Sequence, residues 1–195
     1  TLTAATAKYL GRLGLSDEVL PAVDAAAADF LARPDLLPAS GLASRLMAES
    51  GVFVDRMQKA DLQALINWRA SRRWRLNVLE ALPLDKLTVA GDDHWPRLLK
   101  IPASRSMPSI DYYSGLAGFY RASKVNLNIT SAQMKTGLNQ RVFDVPACGS
   151  FLLTDNRDQL SALFEPGREV ITYSSPAEAR DLALWYLDNP SAASK

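Results

Sequence analysis

The stretch from Lys124 to Asp155, KVNLNITSAQMKTGLNQRVFDVPACGSFLLTD, carries the densest set of groups able to grip an anion. Thr130, Ser131, Lys135, Thr136, Asn139 and Arg141 all donate hydrogen bonds. Lys135 and Arg141 are also cations, suited to stabilising a departing diphosphate. The pattern reads as a strand, a polar loop, a helix beginning near Gly137 and a second strand. A helix N-terminus just beyond a sheet presents unpaired N–H groups and partial positive charge, the physical basis of phosphate binding. Asp144 follows Arg141 by three residues and Gln140 by four, so the three share a helical face on which a carboxylate can accept two ribose hydroxyls. The same polar residues also suit a plainer role, capping a helix and solvating its outer face.

Other candidates carry weaker signals. In RASRRWRLNVLEALP, Arg69, Arg72, Arg73 and Arg75 spread around a helix that also bears Trp68 and Trp74. This reads as a solvated face with packed aromatics, phosphate contact by Arg72 or Arg73 being the minority view. Gly91, Asp92, Asp93 and His94 end a strand and suit an Asp-capped turn better than a metal site, and His94 suits a structural role better than a catalytic one. Cys148 has no His or Asp partner nearby, so it reads as a small residue at a turn that Gly149 permits. No metal site is assigned.

These groups need elements to hold them. Up to about residue 84 the chain is alanine- and leucine-rich and reads as helices interrupted at Pro34 and Pro38, with a short strand-like hint at Val52, Phe53 and Val54. From Asp85 to Lys195 short β-branched runs, KLTVAG, KVNLNI, SFLLTD and EVITY, alternate with helical segments: Ser114 to Ala122, Gly137 to Ala147, Arg157 to Phe164 and Pro176 to Asp188. Pro108, Ser109 and Ile110 suggest one more short strand. Such alternation predicts an α/β fold, a Rossmann-like parallel sheet flanked by helices, preceded by a helical segment. Ligands bind such sheets beyond the carboxyl ends of the strands, where Gly91, Thr130 and Asp155 fall.

Composition narrows the function. Twenty-two basic and twenty-one acidic residues leave a net charge of +1, which gives no field for nucleic acid or anionic membrane. One cysteine and one histidine exclude a disulfide framework and a Cys/His zinc site, and the cysteine count points to the cytoplasm. No apolar run is long enough to span a bilayer. The first residue is Thr rather than Met, which leads us to expect that the natural protein extends further at its N-terminus.

Five segments in order, YRASKVNLNIT from Tyr120, MKTGLNQRVFDVPACG from Met134, FLLTD from Phe151, LFEPGREV from Leu163 and WYLDNP from Trp185, resemble the C-terminal domain of bacterial CgeB-like glycosyltransferases, of the GT-B, group 1 superfamily. The resemblance covers roughly Leu84 to Pro190. It implies a metal-independent hexosyl transfer, without a cofactor, from a nucleoside diphosphate sugar to an acceptor whose identity stays open, a glycan, a protein or a small molecule. It also implies retention at the anomeric carbon, and a separate N-terminal domain carrying most of the acceptor site. Asp144 matches the superfamily's ribose-binding acid, and Thr154 and Asp155 fall near the donor. Thr136 stands eight residues earlier, where the superfamily often has Glu, and no counterpart is visible for the Arg and Lys that usually bind phosphate at the start of the domain. A non-catalytic module that keeps a nucleotide pocket, or only the fold and its protein contacts, is the alternative.

Overall fold

The computed structural model describes residues 2–33 and 39–193; the expected breaks at Pro34 and Pro38 lie outside the described residues. The chain forms two compact units, Thr1–Trp74 with Ser131–Lys135, and Arg75–Thr130 with Thr136–Lys195.

The first unit is helical: α1 (Leu2–Leu13), α2 (Leu20–Ala32), α3 (Ala39–Ser50) and the larger part of α4 (Arg56–Ala81). In α2 the buried residues are Val23, Ala26, Ala27 and Phe30, one helical stripe; Leu42, Ala43 and Leu46 of α3 and Leu62, Leu65 and Ile66 of α4 join the same core. Asp55 starts α4 with a capping box: its carboxylate accepts from the N–H of Met57 and of Gln58, at 2.8 and 2.7 Å, while Gln58 accepts from the Asp55 N–H at 3.1 Å. Val52 to Val54 lie outside any strand, in the coil that this cap terminates.

The second unit is α/β. Strands β1 (Val89–Gly91) and β2 (Ser106–Pro108) pair in parallel, Val89 opposite Ser106. Strands β3 (Asn126–Asn128), β4 (Leu152–Asp155) and β5 (Ile171–Tyr173) form a second parallel sheet in that order. The single sheet expected from the sequence is therefore two parallel sheets. Every residue of β4 is buried, as the central strand of a covered parallel sheet requires.

Helices α5 (Trp95–Leu99), α6 (Leu116–Ala122), α7 (Arg141–Ala147) and α8 (Pro176–Asp188) complete this unit. Helix α8 begins where the sequence placed it. Ser175 accepts from the Glu178 N–H at 3.1 Å, and the Glu178 carboxylate reaches back to the Ser174 N–H at 2.7 Å.

Two expected helices differ. Helix α7 starts at Arg141, not at Gly137, because the Thr136 carbonyl accepts from the Gln159 N–H at 3.3 Å and the Asn139 side chain binds Asn128, fixing the segment as a loop. Residues 157–164 form only a 3-10 turn, Leu160–Ala162, since Leu160 is their one buried residue and the Arg157 side chain folds back on Asp155. At the other end of α7, Pro146 removes one helical N–H and Gly149, at φ +67, turns the chain toward β4.

Candidate anion-binding site

A cavity of about 660 Å³ opens in the α/β unit, lined by residues of both β1 and β3, which do not pair with each other. Every residue from Lys124 to Ile129 lines it. Side chains of a strand alternate between faces, so contact with consecutive residues means that the cavity meets β3 along its edge, the edge β4 does not cover.

The charge of this lining is one-sided. Arg75, Lys86, Arg105, Lys124 and Arg141 contribute, and no carboxylate or histidine does, although the chain has 22 basic and 21 acidic residues. Burial, then the nearby Arg141 charge, lowers the pKa of Arg75, while Asp155 opposes both. Like charges that line one cavity leave a field that an anion relieves. Tyr120 is also in the lining, and burial pushes its pKa up while the Arg141 charge opposes the shift.

Beside the cavity, the carboxyl ends of β3 and β4 are tied by a closed polar network. Asp155, 2% exposed, accepts from the Thr130 N–H and hydroxyl on one oxygen, at 2.9 and 2.8 Å, and from Arg157 Nε and Nη2 on the other, at 3.1 and 2.5 Å. A carboxylate has about four acceptor positions, and all are taken. Asn139 donates to Asn128, and Asn128 donates to the buried Thr154 hydroxyl at 3.0 Å. Tyr173 closes the network by donating to the Asn128 carbonyl at 2.9 Å; burial and the Asp155 charge push its phenol up, with Arg157 opposing.

The residues singled out in the sequence therefore divide. Arg141 lines the cavity. Thr130, Asn139, Thr154 and Asp155 belong to the network next to it, where their hydrogen bonds hold strand ends together; Asn139 alone keeps a buried side-chain oxygen without a donor. Asp144 accepts from the Tyr112 hydroxyl at 3.0 Å. Thr136 and Gly137 lie in the loop ahead of α7. Lys135, expected with Arg141 on a diphosphate, belongs to the helical unit instead. Its ammonium donates to the Phe30 carbonyl at 2.8 Å and sits 3.4 Å from the centroid of that ring, a charge already committed to a cation–π contact.

Sequence reasoning missed the other four cations of the cavity. Arg75 stood in the arginine cluster, whose neighbour Arg69 is forked onto Asp24. Lys86, Arg105 and Lys124 were not among the residues singled out, although Lys86 and Lys124 open the runs KLTVAG and KVNLNI; their common signal is that each stands just ahead of a strand. The Asp92, Asp93 and His94 turn brings His94 Nδ1 to 2.7 Å from Asp92 and 3.0 Å from Asp93. It is the one group among the described residues with metal-ligand spacing, and it lies outside the cavity lining.

Fold and site together define a Rossmann-like α/β domain with a cationic cavity at a strand edge. Residues 69–195 match a family described as glycosyl transferase-like, and the chain belongs to that family. No curated protein and no solved structure matches it. No helix among the described residues is long and apolar enough to cross a membrane.

Proposed function

We propose that the α/β unit binds the donor of a glycosyl transfer, a nucleoside diphosphate sugar, with the diphosphate in the cationic cavity between Arg75 and Arg141. The observation that carries this reading is a lining with five cations and no acid. Its volume, about 660 Å³, suits a ligand of nucleotide size. As the bond to the sugar breaks, negative charge grows on the leaving diphosphate, and guanidiniums held in a part-buried cavity stabilise that charge more than the charge of the bound donor. Arg75 takes the part that the sequence had suggested for Lys135.

Asp144, on the same helix as Arg141, is the ribose acceptor in this reading, and Asn139 offers its unfilled oxygen to a sugar hydroxyl. The charge is supplied by side chains, so the donor binds without a divalent cation. The finer resemblance to CgeB-like enzymes and a cytoplasmic location belong to the same proposal.

Calorimetry with UDP, GDP, ADP and CDP tests it. One nucleotide binds, and Arg75→Ala and Arg141→Ala each weaken it at least tenfold. Silence across the panel, or variants that bind like the parent protein, would falsify the reading. The alternative of a binding module without turnover is favoured by the absence of any carboxylate or histidine from the lining, and predicts nucleotide binding without hydrolysis or transfer of the bound sugar.

A further inference from the structure

The turn ahead of α6 carries two adjacent tyrosines that the core of the α/β unit does not use. Tyr113 is 93% exposed and Tyr112 48%, and neither joins the apolar cluster around Tyr120, Val142 and Val145. The turn itself is fixed. One Asp111 carboxylate oxygen accepts from the Tyr113 N–H at 3.1 Å, from the Ser114 N–H at 2.8 Å and from the Ser114 hydroxyl at 2.7 Å. The two rings meet edge to face, with centroids 5.2 Å apart and planes at 83°. Such a contact covers one face of one ring and leaves the other faces open.

Helix α7 sets what these rings stand beside. Tyr112 donates to the Asp144 carboxylate at 3.0 Å, and Asp144 follows Arg141 by three residues, so the two α7 side chains are neighbours. The hydrogen bond to Asp144 leads the influences that raise the Tyr112 pKa, and Tyr113 and Tyr120 are among the rest; Tyr120 lines the cavity together with Arg141. The groups therefore follow one order: Arg141 in the cavity, Asp144 beside it, Tyr112 on Asp144, and Tyr113 on Tyr112. A nucleotide has the same order of parts, diphosphate, ribose and base. With the diphosphate on Arg141 and the ribose on Asp144, the base leaves the ribose on the side away from the phosphates, toward the tyrosine pair.

We propose that Tyr113, braced by Tyr112, stacks against the nucleobase of the donor. On the donor reading, on which this assignment rests, Tyr113 is the third contact after Arg141 and Asp144. Every base has a π-face, so stacking supplies affinity without reading the hydrogen-bonding edge. A tyrosine ring turns about only two side-chain bonds, and with its backbone pinned by Asp111 it loses little freedom when a base covers it.

Calorimetry on the full chain tests the assignment, with the nucleoside diphosphate that binds among UDP, GDP, ADP and CDP, and with inorganic pyrophosphate. Tyr113→Ala lowers nucleoside diphosphate affinity roughly tenfold and pyrophosphate affinity by less than about twofold, whereas Arg141→Ala weakens both. Tyr113→Phe keeps the ring, removes only the hydroxyl and recovers most of the loss. If pyrophosphate binds too weakly to titrate, the alanine and phenylalanine variants decide with the nucleotide alone. A nucleotide that binds Tyr113→Ala as tightly as the parent protein, a pyrophosphate loss equal to the nucleotide loss, or a Tyr113→Phe variant as weak as the alanine one overturns the stacking role and leaves the donor reading standing. If no nucleotide binds the parent protein, both fail.

Discussion

Tyr112 donates a hydrogen bond to the Asp144 carboxylate across 3.0 Å, joining the segment ahead of α6 to the first turn of α7. Accepting this bond, Asp144 raises the Tyr112 pKa, the largest of the influences on that phenol. If the carboxylate holds a ribose, Tyr112 competes for the same oxygen. Tyr112→Phe is expected to tighten nucleoside diphosphate binding about twofold, since an exposed hydrogen bond is worth ~0.5 kcal/mol. Asp144→Ala is expected to weaken it. Calorimetry on both variants checks the pair; unchanged affinity in both removes Asp144 from the site.

Arg141→Ala should weaken a nucleoside diphosphate far more than the matching nucleoside, because only the former carries the charge the guanidinium recognises. Arg141→Lys should recover part of the loss, retaining charge without the planar fork. Equal losses for nucleotide and nucleoside would assign Arg141 to the base or to the packing of α7.

Asp155 and Arg157 form the most buried ion pair of the α/β unit, with side chains 3% and 14% exposed. Removing either partner strands the other charge, so Asp155→Ala and Arg157→Ala should each destabilise by roughly 3–5 kcal/mol. Urea unfolding followed by circular dichroism measures this. Wild-type midpoints in both variants would show that water enters and solvates the remaining charge.

Nucleotide affinity should survive EDTA and should not rise with added magnesium or manganese, because the cavity lining supplies positive charge and no carboxylate. Calorimetry in chelator against calorimetry in excess metal decides the point. Binding abolished by the chelator would move the site to the Asp92, Asp93 and His94 turn.

In the helical unit, the hydrogen bond from Arg45 holds the Asp29 carboxyl below its ordinary range. A folded-state pKa below the unfolded value adds stability that is fully present above the unfolded value of about 3.9 and is lost as pH falls through the folded one. The difference in thermal midpoint between the parent protein and Arg45→Met should therefore shrink as pH is lowered from about 5 toward 2. A difference independent of pH would mean that Arg45 acts through its aliphatic stem.

Elements whose signals are local were legible in the sequence. The β-branched runs located β1, β3, β4 and β5, and apolar residues at helical spacing located α8 at Pro176 to Asp188, where the structure adds a cap by Ser175 and Glu178 that involves only neighbours. What depended on distant partners was not legible. Lys135 was read as a phosphate ligand because its neighbours are polar, whereas its partner Phe30 lies 105 residues away. The start of α7 was misplaced because Asn128 and Gln159, on either side, hold residues 136–139 out of the helix. Thr130 and Asp155 were correctly set at strand ends, but a sequence does not show that each already satisfies the other. The cavity cations span Arg75 to Arg141, and only the folding of α4, the strands and α7 gathers them.

The uncovered edge of β3 has a consequence for self-association. An open strand edge is a row of N–H and C=O groups on which a strand from another molecule can add, the usual start of edge-to-edge aggregation. The cavity that meets this edge is lined by five cations and no acid in every copy, so two copies approaching edge to edge there meet with like charge. Polyanions that fill the cavity remove this repulsion, and alanine substitutions there remove it permanently. If the proposed ligand is held by these five side chains, the same charges that recognise it also keep copies apart, which places a limit on how far the lining can be made neutral before the protein begins to stick to itself.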